Sequence, residues 1–395
     1  MKPKALFLNI GWEQIPLLHS LSQKEYDIYG VGANPPEEVV NLFKRFVNCD
    51  ISDICPILDF ADQIHPELVI SDQDDYAYFV QALIADKYKL PGPSLAEAQL
   101  AINKFKQRSK LKEISIKQPM FFKVENLNDL SEAVRHLGFP LIVKPIDSRG
   151  SYGVTKVNEK SFVEKAFYSA LSYSPSRACI LEQFIEGQEI TVDGYMFNGV
   201  AKSLALASKS KLNSEVMVSM DIKYPGELDD NIYQQALALN EKIANYLYSF
   251  GFIHAEFIVT PAGELYLVEI ANRGGGCCTS ELIVPVVSGV NLLEQYIADC
   301  AGQAANLSLE RADTQEVILK FLSFSPGKVK EFIGLEEITK DKAVIMFRLN
   351  VDKGDTIKSI DSDASRHGFA IVRSPKNVRK ACEEILSKFK VLYEQ

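Results

Sequence analysis

No Cys-x-x-Cys pair occurs in the 395 residues, and the seven cysteines are scattered apart from the adjacent Cys277 and Cys278. That odd, scattered set fits a reducing cytoplasm better than a disulfide scaffold. With only five histidines, no Cys-His arrangement for nucleophilic catalysis is readable around Cys277 and Cys278. Small buried thiols are the expectation there, and His254, at a strand start, is expected to pack rather than to act as a base. No apolar run nears the roughly 20 residues needed to span a bilayer. The apolar start ALFLNI (5–10) is too short for the core of a secretory signal. Basic residues are in deficit, 43 against 52 acidic, for a net charge of −9. Nucleic acid and anionic membrane are therefore not expected as partners, and the cytoplasm is the expected location. A GxxxxGK[ST] phosphate loop is missing too. The dinucleotide fingerprint is incomplete, since NIGWEQ has one glycine and GVGANP has proline where the third should fall.

What is present begins with a βαβ rhythm. ALFLNI, YDIYGVG (26–32) and ELVISD (67–72) read as strands, and EEVVNLFKRF (37–46) and YAYFVQALIADKYKL (76–90) as helices. The PGPS turn at 91–94 closes this parallel α/β unit. A long charged helix is expected over 95–116, then a small α+β lobe with strands at 118–124, 141–145, 153–157 and 179–185. Further strands, a helix over 227–251, a hairpin over 252–271 and a helix from 280 to about 300 follow. The polar stretch 302–313 reads as a linker to a C-terminal α+β unit ending in one helix. The fold class is α/β and α+β multidomain. The divisions are 1–94, 95–305 (small lobe about 118–185, large lobe about 186–305) and 306–395.

The hairpin GFIHAEFIVTPAGELYLVEIANR carries the most chemistry. A turn centred on Ala262-Gly263 pairs residue i with residue 525 − i. One face then holds Ile253, Ala255, Phe257, Val259, Tyr266, Val268 and Ile270. The other holds His254, Glu256, Ile258, Thr260, Leu265, Leu267, Glu269, Ala271 and Arg273. Glu256 and Glu269 stand opposite each other, about 5 Å apart at Cβ, and repel by roughly 3 kcal/mol at an effective dielectric of 20. Exposure to water or a one-residue register slip would relieve that repulsion. So would a divalent cation held by oxygens, most simply Mg²⁺. Ile258 and Leu267 on the same face favour the cation. Arg273 suits an anion beside it.

Upstream, FPLIVKPIDSRGSYGVTKV (139–157) is strand, glycine-containing loop, strand. It offers Lys144, the hydroxyls of Ser148 and Ser151, and backbone amides of the kind that cradle phosphate. CILEQFIEGQEITVDGY (179–195) adds Glu182, Glu189 and the apolar Phe184 and Ile185. From the residues alone it is an irregular strand pair.

These motifs in this order, NKFKQR, FPLIVKPIDSRGSYGV, LEQFIEGQEITVDG and GFIHAEFIVTPAGELYLVEIANRGGG, resemble the ATP-grasp superfamily of ADP-forming ligases. The N-terminal unit resembles its pre-ATP-grasp domain. SFSPGKVKEFIGLEEI with KGDTI and RHGFAIV resembles the C-terminal domain of the biotin-carboxylase-like branch, to which L-amino acid ligases are similar. The resemblance implies ATP and Mg²⁺ as cofactors. Lys104, Lys144, Ser148, Ser151 and Gly153 would lie on the phosphates, Glu182, Gln183, Phe184 and Ile185 around the adenine, Glu189 on the ribose, and Leu267 within the ATP site. Glu256 and Glu269 would be the metal ligands. Asn272 would be a third, although it stands one residue off the amide of the E-x-N-P-R pattern. Arg273 would be the catalytic cation, with Gly274, Gly275 and Tyr224 near substrate. The implied reaction couples a small-molecule carboxylate, activated as an acyl phosphate, to an amine. A bicarbonate-activating carboxylase or nucleotide-biosynthesis enzyme is the alternative, and a catalytically silent ATP-binding regulator is a third reading. A homodimer is compatible with each.

Overall fold

The computed structural model describes residues 2–148, 150–211, 218–303, 315–360 and 362–394. Its N-terminal sheet is parallel, in the order Arg45–Asn48, Asp27–Gly32, Lys4–Leu8, Leu68–Ile70. The helix expected over 37–46 is instead a short 3-10 turn, Glu37–Leu42, followed by the edge strand. Tertiary packing explains the change. Gly30 leaves room for the rings of Phe43 and Phe46, where any Cβ would fall 2.5 Å from Phe46. Those rings meet edge-on over the sheet, and pairing of Tyr29 with Arg45 follows. A helix not foreseen, Ile54–Ile64, covers the same sheet.

The charged stretch after PGPS forms two helices, Leu95–Ala101 and Lys104–Lys112. Asn103 divides them, because its side chain accepts from Lys106 N–H as an N-cap. The cap leaves Lys104 at the head of the second helix, its own amide donating to Ile146 O. The small lobe is an antiparallel sheet, Phe121–Val124, Cys179–Gln183, Leu141–Pro145, Thr155–Val157. Helices Leu127–Leu137 and Val163–Tyr173 back it.

The large lobe is an eight-stranded antiparallel sheet, and the C-terminal part of the chain supplies three of its strands. The order is Leu265–Ala271, Gly251–Val259, Gln188–Phe197, Val200–Lys211, Ser219–Tyr224, Glu316–Phe321, Gly368–Ser374, Val344–Leu349. Ser219–Tyr224 is thus an interior strand joining the large lobe to the C-terminal unit. The final helix stops at Leu386, and the VLYE segment expected within it is a strand, Lys390–Tyr393. The helix expected from 280 becomes a π turn, a short helix and a third helix, Leu292–Cys300. Of the linker over 302–313, residues 304–313 lie outside the described residues, as does Arg149 of the glycine loop.

Candidate active site

His254 faces Ala271 and Glu256 faces Glu269 across the hairpin, in the register read from the sequence. The turn differs. Gly263 N–H donates to Thr260 O at 2.8 Å, and Gly263 has φ +78°, so the turn centres on Pro261-Ala262. A bulge beyond Glu256 absorbs the one-residue difference, so Phe257 faces Leu267 and Val259 faces Leu265. Leu265 and Leu267 therefore turn away from the acid face and pack in the core with Phe257 and Val259. Leu267, 2% exposed, is a core residue in this register.

Each acid has its own lysine. Lys104 Nζ lies 2.9 Å from Glu269 Oε1 and donates to Ser148 O at 2.7 Å, tying the hairpin to the glycine loop. Lys209, not singled out from the sequence, reaches Glu256 Oε1 at 2.5 Å across the intervening strand. The Lys209 charge holds the Glu256 carboxyl well below the usual range despite its burial. A lysine thus offsets each acid of the pair. Among the described residues no group of three or more His, Cys, Asp or Glu side chains could hold a metal. Two adjacent carboxylates still fit Mg²⁺, which commonly takes one or two protein carboxylates and completes its shell with phosphate and water. Asn272 does not fit as a third ligand. It is 1% exposed, its Oδ1 accepts from the Tyr78 hydroxyl, and its Nδ2 donates to Phe250 O and Phe252 O.

Lys144 and Glu182 are both nearly inaccessible, their charges joined at 2.9 Å. Arg108 pairs with the other Glu182 oxygen and donates to Leu267 O and Val268 O beside the bulge. Both Glu182 oxygens are taken, so this acid positions Lys144. Burial pulls the Lys144 pKa down, and Glu182 opposes it. In the segment expected to border adenine, Gln183 N–H donates to Met120 O and Phe184 N–H to Pro140 O, so these two amides are used within the lobe. Lys156 sits 3.9 Å over the Phe184 ring. Glu189 pairs with Lys211 at 2.6 Å. Ser151 and Gly153, both at positive φ, form the described tip of the glycine loop after Ser148.

The N-terminal domain holds the segment after Glu269. Arg273 donates through Nε to Asp75 at 2.8 Å and through Nη2 at 3.3 Å. Gly274 N–H donates to Asp72, Cys277 N–H to Glu13 and Cys278 N–H to Gln73. None of these partners was expected. The acidic run SDQDD (71–75), directly after a parallel strand where such sheets place their sites, was the available signal. The glycines answer to these neighbours. A Cβ on Gly274 would fall 2.9 Å from Asp72 Oδ2 and Ser280 Oγ, and one on Gly275 would fall 2.8 Å from His254 Nδ1. Beside Gly276 only Glu13 Oε1 comes within 4 Å of where a Cβ would stand, so Gly276 has more room around it than Gly274 and Gly275. Cys277 and Cys278 follow in the left-handed region at φ +57° and +55°, costing about 1–2 kcal/mol each.

Tyr224, 1% exposed, donates to Asp193 Oδ2 at 2.6 Å and is no substrate contact. Asp193 also meets His254 Nδ1 at 2.7 Å. Burial disfavours the charged imidazole, but Asp193 and Glu256 outweigh it and hold His254 at about 9. His254 thus supports the loop from below, as a packing residue would.

Glu281 lies under the same loop, accepting from Gln73 Nε2 at 2.5 Å and facing Asp72. Burial, with Asp72, raises its pKa well above the usual carboxyl range. A carboxyl raised in the folded state stabilises below its unfolded pKa and loses that contribution as pH rises toward the folded value. Glu281→Gln should therefore be more stable than wild type at pH 8, with the difference shrinking toward pH 4. Urea unfolding at both pH values checks this; an equal effect at both would refute the raised Glu281 pKa.

Residues 137–281 match the model of an ATP-grasp domain, and residues 320–394 match L-amino acid ligase C-terminal domain 2. A D-alanine–D-alanine ligase of Parabacteroides distasonis is 31% identical over 192 residues, which are 46% of this chain and 57% of that protein. An L-arginine-specific L-amino acid ligase of Bacillus subtilis is 23% identical over 282 residues, 70% of this chain and 68% of that one. In structure, the chain superposes on an L-amino acid ligase from Bacillus licheniformis with a TM-score of 0.84 at 18% identity, covering 100% of both chains. Biotin carboxylase from Campylobacter jejuni gives 0.76 at 16%, covering 99% of this chain and 92% of that one. These matches give the chain a segment similar to an ATP-grasp domain and a segment similar to L-amino acid ligase C-terminal domain 2, within a fold shared with L-amino acid ligase and biotin carboxylase.

Proposed function

We propose that the chain is an ATP-dependent carboxylate–amine ligase acting on amino acids in the cytoplasm, divided at about residues 94 and 305. The observation that carries this is the meeting of Lys104, Glu269 and Ser148 O at one point, with Arg273 four residues past Glu269. Relatives named D-alanine–D-alanine ligase and L-amino acid ligase support the substrate class.

In this reading Lys104 and Lys144 hold the triphosphate, and Ser148, Ser151 and Gly153 close over it. Glu182, Gln183, Phe184 and Ile185 border the adenine, and Glu189 the ribose. Glu256 and Glu269 would hold Mg²⁺, which would neutralise phosphate charge during transfer. Lys104 and Lys209 would move off the acids as nucleotide arrives. Arg273, kept rigid by Asp75, faces the transferring phosphoryl group and the acyl phosphate that forms. An amine then attacks that acyl phosphate, and the closed loop keeps water out.

ADP release measured over a panel of carboxylates and amines tests this. Amine-dependent release is expected. Release that depends only on bicarbonate would favour a carboxylase, and ATP binding without turnover would favour a silent regulator. Arg273→Ala should lower turnover by roughly 10²–10³-fold with ATP affinity nearly unchanged. Equal losses in both would make it a nucleotide anchor.

A further inference from the structure

Helix Lys104–Lys112 grips Leu265–Ala271, the edge strand of the eight-stranded sheet, with three side chains that surround Glu269. Lys104 meets the Glu269 carboxylate at 2.9 Å. Gln107 donates to Ile270 O at 2.9 Å. Arg108, 3% exposed, donates through Nη1 to Leu267 O at 3.1 Å and through Nη2 to Val268 O at 2.8 Å, while its Nε pairs with Glu182. Successive carbonyls of a regular strand point to opposite edges, so one guanidinium could not take both. Val268 is the extra residue of the bulge, unmatched in the ladder with Gly251–Val259. The bulge brings the two carbonyls to one side.

The bulge also decides where Glu269 points. On the turn side Val259 faces Leu265 and Phe257 faces Leu267, in the register set by the turn at Pro261-Ala262. Continued without a bulge, that register would put Val268 opposite Glu256 and Glu269 opposite Ala255. Ala255 shares its face with Phe257 and Val259, all in the core. A one-residue slip turns a side chain to the other face, so Glu269 would then face the core. Only with Val268 extruded does its carboxylate join Glu256. What holds the extruded backbone is a buried planar fork, with one donor for each carbonyl, and lysine cannot reproduce it. Resting on the ligase reading above, we propose that Arg108 is a positioning residue, which fixes the bulge at Val268 and so aims Glu269 at the metal position beside Glu256. Arg108 itself touches neither metal nor reacting atoms. Through Glu182 it ties the base end of the nucleotide site to the metal end.

Arg108→Lys keeps a positive charge for Glu182 but holds at most one of the two carbonyls. Mg²⁺ binding to the full chain loaded with ADP is measured by calorimetry, with ADP affinity in the presence of a chelator as control. Backbone hydrogen exchange over residues 265–271 is followed alongside. Mg²⁺ should bind the variant roughly 10–100-fold more weakly, as the loss of one charge-assisted hydrogen bond implies, while metal-free ADP affinity stays within about threefold. Exchange over 265–271 should quicken by about tenfold or more. Deleting Val268 removes the bulge and leaves Glu269 opposite Glu256, so in that background Arg108→Lys should weaken Mg²⁺ by no more than about twofold further. Unchanged Mg²⁺ affinity in a folded Arg108→Lys chain would overturn the proposal. So would a further loss of about tenfold in the deletion background, or a wild-type chain that takes up no Mg²⁺ with ADP. Failure of the ligase reading would appear separately, as the absence of amine-dependent ADP release while Mg²⁺ binding still separates wild type from variant.

Discussion

Glu269→Gln is expected to abolish Mg²⁺-dependent ADP formation, by at least about 10³-fold, while ATP still binds. Electrostatic stabilisation of developing charge commonly contributes on the order of 10²–10³ for a single group, and here one substitution removes two functions. The carboxylate opposite Glu256 is half of the oxygen pair proposed for the metal. It also holds Lys104 at 2.9 Å, beside the Ser148 carbonyl. Burial lowers the Lys104 pKa, and Glu269 more than restores it, so the net shift is upward. Without that acid the lysine loses its main counter-charge. The fold should survive, because Glu269 is about one-third exposed and glutamine keeps its shape. Steady-state ADP release against Mg²⁺ concentration, alongside ATP binding by calorimetry, measures both halves. Wild-type turnover in the variant would remove the metal assignment.

Glu182→Ala should instead destabilise the chain by about 3–5 kcal/mol, the usual cost of breaking a buried ion pair from one side. Glu182 is 3% exposed and satisfies Lys144 and Arg108 together, so its loss strands two positive charges. Burial raises the Glu182 pKa, while Arg108 and Lys144 lower it more, leaving it depressed. A depressed acid stabilises above its unfolded pKa and loses that contribution as pH falls through the folded value. The deficit of the variant should therefore be full at neutral pH and shrink in acid. Urea unfolding at pH 7 and near pH 4 would show both effects. A loss under about 1 kcal/mol would mean that water reaches the triad.

Lys209 shows why some of the site was not legible. It sits in the alternating strand Val200–Lys211, and its partner Glu256 lies two strands away in the sheet. Sequence periodicity tells which face a lysine takes but not which strand lies across from it. Leu267 shows a finer limit, because a single bulge reversed the face of every residue between it and the turn. Glu13 was out of reach for a third reason. It meets the loop after Glu269 only when segments far apart in sequence pack together, and no local pattern encodes that docking.

The glycines after Arg273 make the same distinction. Three in a row already required close approach of backbone to something. Only the packed chain reveals that Asp72, Ser280 and His254 are what approach two of them, leaving the third with more room. By itself the sequence determined the order of the motifs, the Glu256–Glu269 pairing and the resemblance to ATP-grasp enzymes, because these rest on short-range register and spacing. Tertiary structure decided which lysine meets which acid, and it buried Asn272 and Tyr224 in hydrogen bonds of their own. Those outcomes depend on long-range contacts among side chains far apart in sequence, whose burial and partners exist only once the domains have packed.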